Sequence, residues 1–187
     1  DLDTAVEHLQ IGIQQSKLIG NPGILCDGYR TLAIALQGRG EHEAAQEALQ
    51  QSDQLAESCQ VSPLMIMRNS SCHVQIALFQ RDLERAQFWA GQVFESTDSS
   101  LLYPCLGITP VRIMLAQGEK TKAAVQLDEL ENLAAQKNCG AGLIEVCTLQ
   151  ALAADDLDEA LNYLQNALIM AHSEGYVRTF VDKGEPM

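Results

Sequence analysis

Basic residues are scarce in this chain. Twelve Lys and Arg stand against 25 Asp and Glu, for a formal charge of −13 over 187 residues. Direct binding to nucleic acid needs cations that displace condensed counterions, so a DNA- or RNA-binding role for this stretch is excluded, as is an anionic membrane surface. The acidic excess is spread along the chain and reads as solvated outer faces of helices. Long apolar runs are also missing. The longest weakly polar stretch, residues 101–111, is far too short to cross a bilayer and carries two prolines. No two cysteines form a Cys-x-x-Cys pair, and the six that are present read as small buried hydrophobes in a reducing, cytoplasmic protein.

Motifs that carry chemistry are equally absent. The nearest approach to a phosphate-binding loop is "QGEKTKA" (117–123), where Glu119 separates the Gly from the Lys and no upstream Gly has the needed spacing. There is no Gly-x-Ser-x-Gly and no His-Glu-x-x-His. His8, His42, His73 and His172 fall in four separate segments without metal-ligand spacing. Carboxylate pairs such as Asp155/Asp156 and Glu129/Glu131 read as helix caps and solvated faces. No cofactor or metal is expected for this stretch, and nothing invites an enzyme.

What is present is a repeat. "ALQGRGEHEA" (35–44), "ALFQRDLERA" (77–86), "MLAQGEKTKA" (114–123) and "ALAADDLDEA" (151–160) align without gaps, each with Leu second and Ala tenth. "DLDTA" (1–5) is a partial fifth copy of "DLDEA" (156–160). The closing residues are Ala5, Ala44, Ala86, Ala123 and Ala160, spaced by 39, 42, 37 and 37. In each unit an apolar-periodic helix runs into the Leu. A Gly- or Asp-rich turn follows, acids stand at the front of the next helix, and the small Ala permits close approach. A packing residue returns four positions later, at Leu9, Ala48, Ala90, Leu127 and Leu164.

The repeat predicts an all-α fold of about nine helices: 2–18, 23–37, 42–58, 62–80, 83–96, 101–117, 120–137, 141–154 and 157–173. They form four hairpins after an orphan second helix. Single hairpins cannot bury their apolar faces alone, so they stack into a right-handed superhelix. Pro104 suits a first turn, whereas Pro110, just after Gly107, predicts a kink or break near 106–110. The units resemble tetratricopeptide repeats, but are longer than the usual 34 residues, with most consensus aromatics replaced; they are TPR-like.

The chain opens on "DLDTAVEHL" with no initiator Met and reads as an excised piece. It closes on "EGYVRTFVDKGEPM" (174–187). This phrase resembles the segment that follows the helical repeats in MalT-like, LuxR-family ATP-dependent transcriptional regulators, with Lys183 where Glu is more usual. The resemblance implies a parent with an upstream ATPase, this superhelix at 1–175, and a connector at 176–187 leading to a DNA-binding domain. Gly175 is expected to end the last helix in αL. Tyr176, Val177, Phe180 and Val181 are expected to cap the last hairpin, and Pro186 to open a further helix.

The first helices of a solenoid line its concave, binding face. Counting back from each closing Ala places Cys26, Tyr29 and Ala33 inward, then Arg68, Ser71 and Gln75, then Cys105, Ile108 and Arg112, then Gly142, Glu145 and Leu149. Tyr29, Arg68, Gln75, Arg112 and Glu145 are the candidate effector or partner contacts. Arg offers a planar fork for carboxylate, phosphate or sugar hydroxyls, and Tyr29 or Tyr103 a face for stacking. The plainer reading pairs these arginines with acids of adjacent hairpins. Phe88 and Trp89 read as core or as a convex patch. The function expected is a non-catalytic sensor that binds a small effector or a regulatory protein and controls self-association. The alternative is a scaffold that holds a peptide in the groove.

Overall fold

A computed structural model describes residues 1–94, 104–172 and 175–181. They form ten α-helices and, among the described residues, no strand. α1 (Leu2–Ile19) comes first, outside the four pairs, and packs on α2. Four pairs follow: α2 (Pro22–Gly38) with α3 (His42–Ser58), α4 (Pro63–Phe79) with α5 (Leu83–Phe94), α6 (Pro104–Ala116) with α7 (Lys120–Gln136), and α8 (Gly140–Ala153) with α9 (Leu157–His172). A short α10 (Arg178–Val181), which the repeat pattern does not contain, ends the described chain. Tyr103, Gly184 and Pro186 lie outside the described residues, and with them the expected further helix.

The turns explain the repeat letters. Glu41 N–H donates to Leu36 O at 3.0 Å, Asp82 to Ala77 at 2.9 Å and Glu119 to Met114 at 2.8 Å. Each closes the same left-handed helix end, with Gly40 at φ 81°, Arg81 at φ 59° and Gly118 at φ 77°. The fourth turn differs. Ala154 is extended (φ −60°, ψ 140°), and the Asp156 carboxylate accepts from Glu159 N–H at 3.2 Å to start α9. Prolines open α2, α4 and α6, where their missing N–H costs nothing.

Packing follows chain order, but the two sets of helices behave differently. The first helices touch along a row, α2 with α4, α4 with α6 and α6 with α8. Among the described residues the second helices α3, α5, α7 and α9 do not touch one another. A row packed on one side and splayed on the other curves, and the first helices line the inside.

Three of the core clusters each recruit a helix from the next hairpin. Leu32, Leu36 and Leu49 of the first hairpin pack with Ile76 of α4. Val74, Ala86 and Ala90 of the second pack with Ile113 of α6, and Val111 and Leu127 of the third with Val146 and Leu149 of α8. Ala86 and Ala123 are completely buried, as the repeat requires. In the first hairpin Ala45, not Ala44, holds the fully buried place.

α6 is an unbroken helix from Pro104 to Ala116 with Pro110 inside it, so the expected break is not there. Pro110 forfeits one backbone bond, and four neighbouring helices pack around α6. Gly107 serves packing instead. A Cβ there would stand 2.5 Å from Leu130 Cδ2 of α7, so its absence lets the two helices close up.

A polar network joins the first two hairpins. Ser52 Oγ of α3 donates to Cys26 O at 3.2 Å and approaches Asn69 Oδ1 of α4 at 2.9 Å. Asn69 Nδ2 donates to Asp53 at 3.1 Å, and His73 Nε2 to the same carboxylate at 2.7 Å. The His73 ring stacks on Trp89 of α5, centroids 3.7 Å apart. Trp89 is therefore core, while Phe88 stands exposed beside it. Asn69→Ala strands buried partners and should cost about 1–3 kcal/mol in urea unfolding. An unchanged midpoint would contradict this network's role.

Candidate functional site

Each first helix contributes to one cleft of about 290 Å³ on the concave face. α2 supplies Arg30 and Ile34, and α4 supplies Arg68, Ser71 and Gln75 from one helical face. α6 adds Ile108 and Arg112, and α8 adds Gly142 and Glu145. Tyr176 and Thr179 close the far end.

The cleft is laced by ion pairs between hairpins. Arg112 of α6 donates to Glu145 of α8 at 2.7 Å, with both side chains mostly buried. Arg68 of α4 reaches Asp27 of α2 at 3.3 Å, and Arg30 pairs with the same carboxylate. Both arginines singled out from the sequence thus pair with acids of an adjacent hairpin, while still lining the cleft. Among the described residues three guanidiniums meet two carboxylates here, in a chain whose overall charge is −13.

Of the five candidate residues, Arg68, Gln75, Arg112 and Glu145 come together. Tyr29 does not. It packs into the first core cluster, and the Lys17 ammonium of α1 lies 5.8 Å from its ring centroid. Cys26 and Ala33 are likewise fully buried, and Leu149 belongs to the third hairpin's core. The cause in α2 is the repeat frame. Counting from Ala44 rather than the buried Ala45 leaves the helical phase one residue short, and the cleft takes Arg30 and Ile34 instead. The i, i+3 pair Asp27/Arg30 was the available signal. Nothing in the repeat could have announced Tyr176 and Thr179.

Those two residues arrive because the chain folds back. Gly175 ends the last turn at φ 70°, as expected, and α10 packs against α8. The terminal segment thus meets the last hairpin through α8, and among the described residues α10 does not touch α9. Val177 and Val181 are exposed, and Tyr176 faces the cleft.

A family model described as the MalT-like TPR region matches residues 1–187. The chain belongs to that family. No curated protein and no solved structure matches it. As a MalT-like TPR region the chain is a helical-repeat module of a sensing or protein-interaction kind. Among the described residues no group of three or more His, Cys, Asp or Glu could hold a metal, and no helix is long and apolar enough to cross a membrane.

Among the described residues of this MalT-like TPR region, one face of α9 carries exposed leucines. Leu157, Leu161, Leu168 and Ile169 of α9 are 71%, 52%, 48% and 64% exposed. Aligned on the closing Ala, Leu161, Leu164 and Leu168 correspond to Ala45, Ala48 and Ser52 of α3, all buried in the first hairpin. α4 packs over α3, whereas among the described residues α9 touches α8 alone.

Two predictions follow from the cleft. Glu145→Gln removes the charge that compensates a mostly buried guanidinium and should cost about 1–3 kcal/mol by denaturant unfolding; wild-type stability would sink this. Burial pushes the Cys72 thiol, on the cleft wall, from 9.0 up to about 12, although Arg30 and Arg112 pull it down. Between those values the unfolded state releases a proton that the folded state keeps, so stability falls as pH rises from about 9 to 12. The slope from this group is about 1.4 kcal/mol per pH unit. Cys72→Ala should flatten that alkaline decline; an identical profile would refute it.

Proposed function

We propose that this chain is the effector-sensing domain of a LuxR-family, ATP-dependent transcriptional regulator working in the cytoplasm. It takes a small effector into the concave cleft and has no catalytic role. ATP binding and DNA binding belong to other parts of such a parent. The observation that carries this reading is the joint lining of the cleft. All four hairpins contribute, and so does the terminal segment through Tyr176 and Thr179. A ligand there touches both the superhelix and the connector that leaves it, so its affinity depends on how the two sit together. That dependence is the requirement for a switch.

The size of the cleft favours a small molecule over a peptide. A volume of about 290 Å³ lies near the lower end for small-molecule sites, and a helix about 10 Å across would not enter. A thermal-shift screen of the chain against oligosaccharides, phosphorylated metabolites and amino acids tests the proposal. At least one compound should raise the melting temperature by mass action, and Gln75→Trp, which fills the cleft, should abolish the effect. No shift from any compound at millimolar concentration would overturn it.

A protein-binding reading draws on a different surface. The α9 leucines recur at alternating three- and four-residue spacing, the seam of paired helices. Self-association or a partner helix would cover them. Sedimentation at rising concentration should show association that Leu161→Glu with Leu168→Glu removes; a wild-type chain that stays monomeric removes self-association from the account.

A further inference from the structure

Among the described residues, two guanidiniums share one carboxylate at the α2–α4 end of the cleft. Asp27 is the only carboxylate paired with either Arg30 or Arg68 among the described residues. Arg30 is the more buried of the two, with a side chain 12% exposed, and is held on its other side by Met65 Sδ at 3.5 Å. Arg68 makes one 3.3 Å contact and is 47% exposed. A guanidinium carries five N–H donors, so most of those on Arg68 are uncommitted. One helical turn along α4 the Ser71 hydroxyl is buried without a hydrogen-bond partner among the described residues. Gln75 follows on the same face with an amide that can also donate. Toward α8, Arg112 is paired with Glu145 at 2.7 Å. Tyr176 adds an aromatic ring to the lining, and the buried Ile108 touches the cleft.

We infer that the ligand of this cleft is a small organic anion, its carboxylate or phosphate held by Arg68, Ser71 and Gln75 of α4 and its body lying against Ile108 and Tyr176. The inference rests on the sensor reading above and names its ligand class. A buried hydroxyl with no partner and an under-used guanidinium call for an acceptor-rich group, and a carboxylate or phosphate satisfies both at once. A ligand cation would add to the positive excess around Arg68. A polyanionic chain such as nucleic acid is excluded by the cleft's size and by the repulsion of a −13 protein, whereas a single anionic head meets a local surplus of positive charge.

The test compares charged and neutral twins on the 187-residue chain at fixed ionic strength. Calorimetric titration and thermal shift would use glucose 6-phosphate against glucose, and citrate against triethyl citrate. At least one anion should bind while its neutral twin does not, and the tighter of the two anions defines the head group. Arg68→Gln should weaken that anion at least tenfold, Arg68→Lys should retain most of the affinity, and Arg39→Gln, at the surface pair with Glu41, should change nothing. Because Arg68 is half exposed, the unliganded variant should melt close to wild type, which separates lost binding from lost folding. Neutral twins binding as well as the anions, or an Arg68→Gln variant with unchanged anion affinity, would overturn the inference. A neutral compound that binds and is expelled by Gln75→Trp would overturn it and leave the sensor reading standing. No binding by any compound, here and in the wider screen, would overturn both.

Discussion

The close approach of two helices through small side chains is the contact on which this structure depends. Ala45, Ala86 and Ala123 are completely buried where a second helix crosses its first, and Gly107 gives α6 the same intimacy with α7. Larger residues there would push the pair apart and leave voids lined by Leu49 or Leu127, both close to fully buried. A hairpin closed this way still has an apolar side, because its first helix is hydrophobic on more than one face. Only the next first helix can cover it, and three of the core clusters are each completed from the following hairpin. Stacking is therefore a condition of burial and not an addition to it.

Curvature and the cleft follow from the same asymmetry. First helices pack in a row and second helices do not, so the inner faces of α2, α4, α6 and α8 converge. Convergence puts charges from separate hairpins within reach, which is why Arg112 finds Glu145 and Arg68 finds Asp27. These pairs fix the relative position of neighbouring hairpins and set the electrostatics of the site. The network from Ser52 through Asn69 and Asp53 to His73 performs a similar register role deeper in the stack.

The C-terminal end breaks the pattern. After α9 the chain turns at Gly175, and α10 packs onto α8. Two consequences share this cause. The cleft gains Tyr176 and Thr179 in its lining, and among the described residues α9 keeps exposed an apolar stripe whose counterpart in α3 is buried.

Helix positions and turns were legible in the residues because they depend on local periods and on Gly, Pro and Asp chemistry. The apolar 3.6-residue spacing, the prolines at helix starts and the Gly turns placed α1 to α9 almost residue by residue. The inward positions Arg68, Ser71 and Gln75 of α4 and Ile108 and Arg112 of α6 were legible too, since their phase follows from Ala86 and Ala123, while the Cys105 side chain lies outside what the structure describes. Three things were not. The phase of α2 depends on whether Ala44 or Ala45 is buried, and neighbouring alanines look alike until a partner helix chooses between them. The continuity of α6 through Pro110 depends on packing from four sides, which a local rule cannot count. The fold-back of the terminal segment is a long-range contact without a repeating signature. The sequence by itself determined the hairpins and the charge of the chain. Only the tertiary structure decided which side chains share the cleft, because that rests on the relative rotation of helices far apart in the chain.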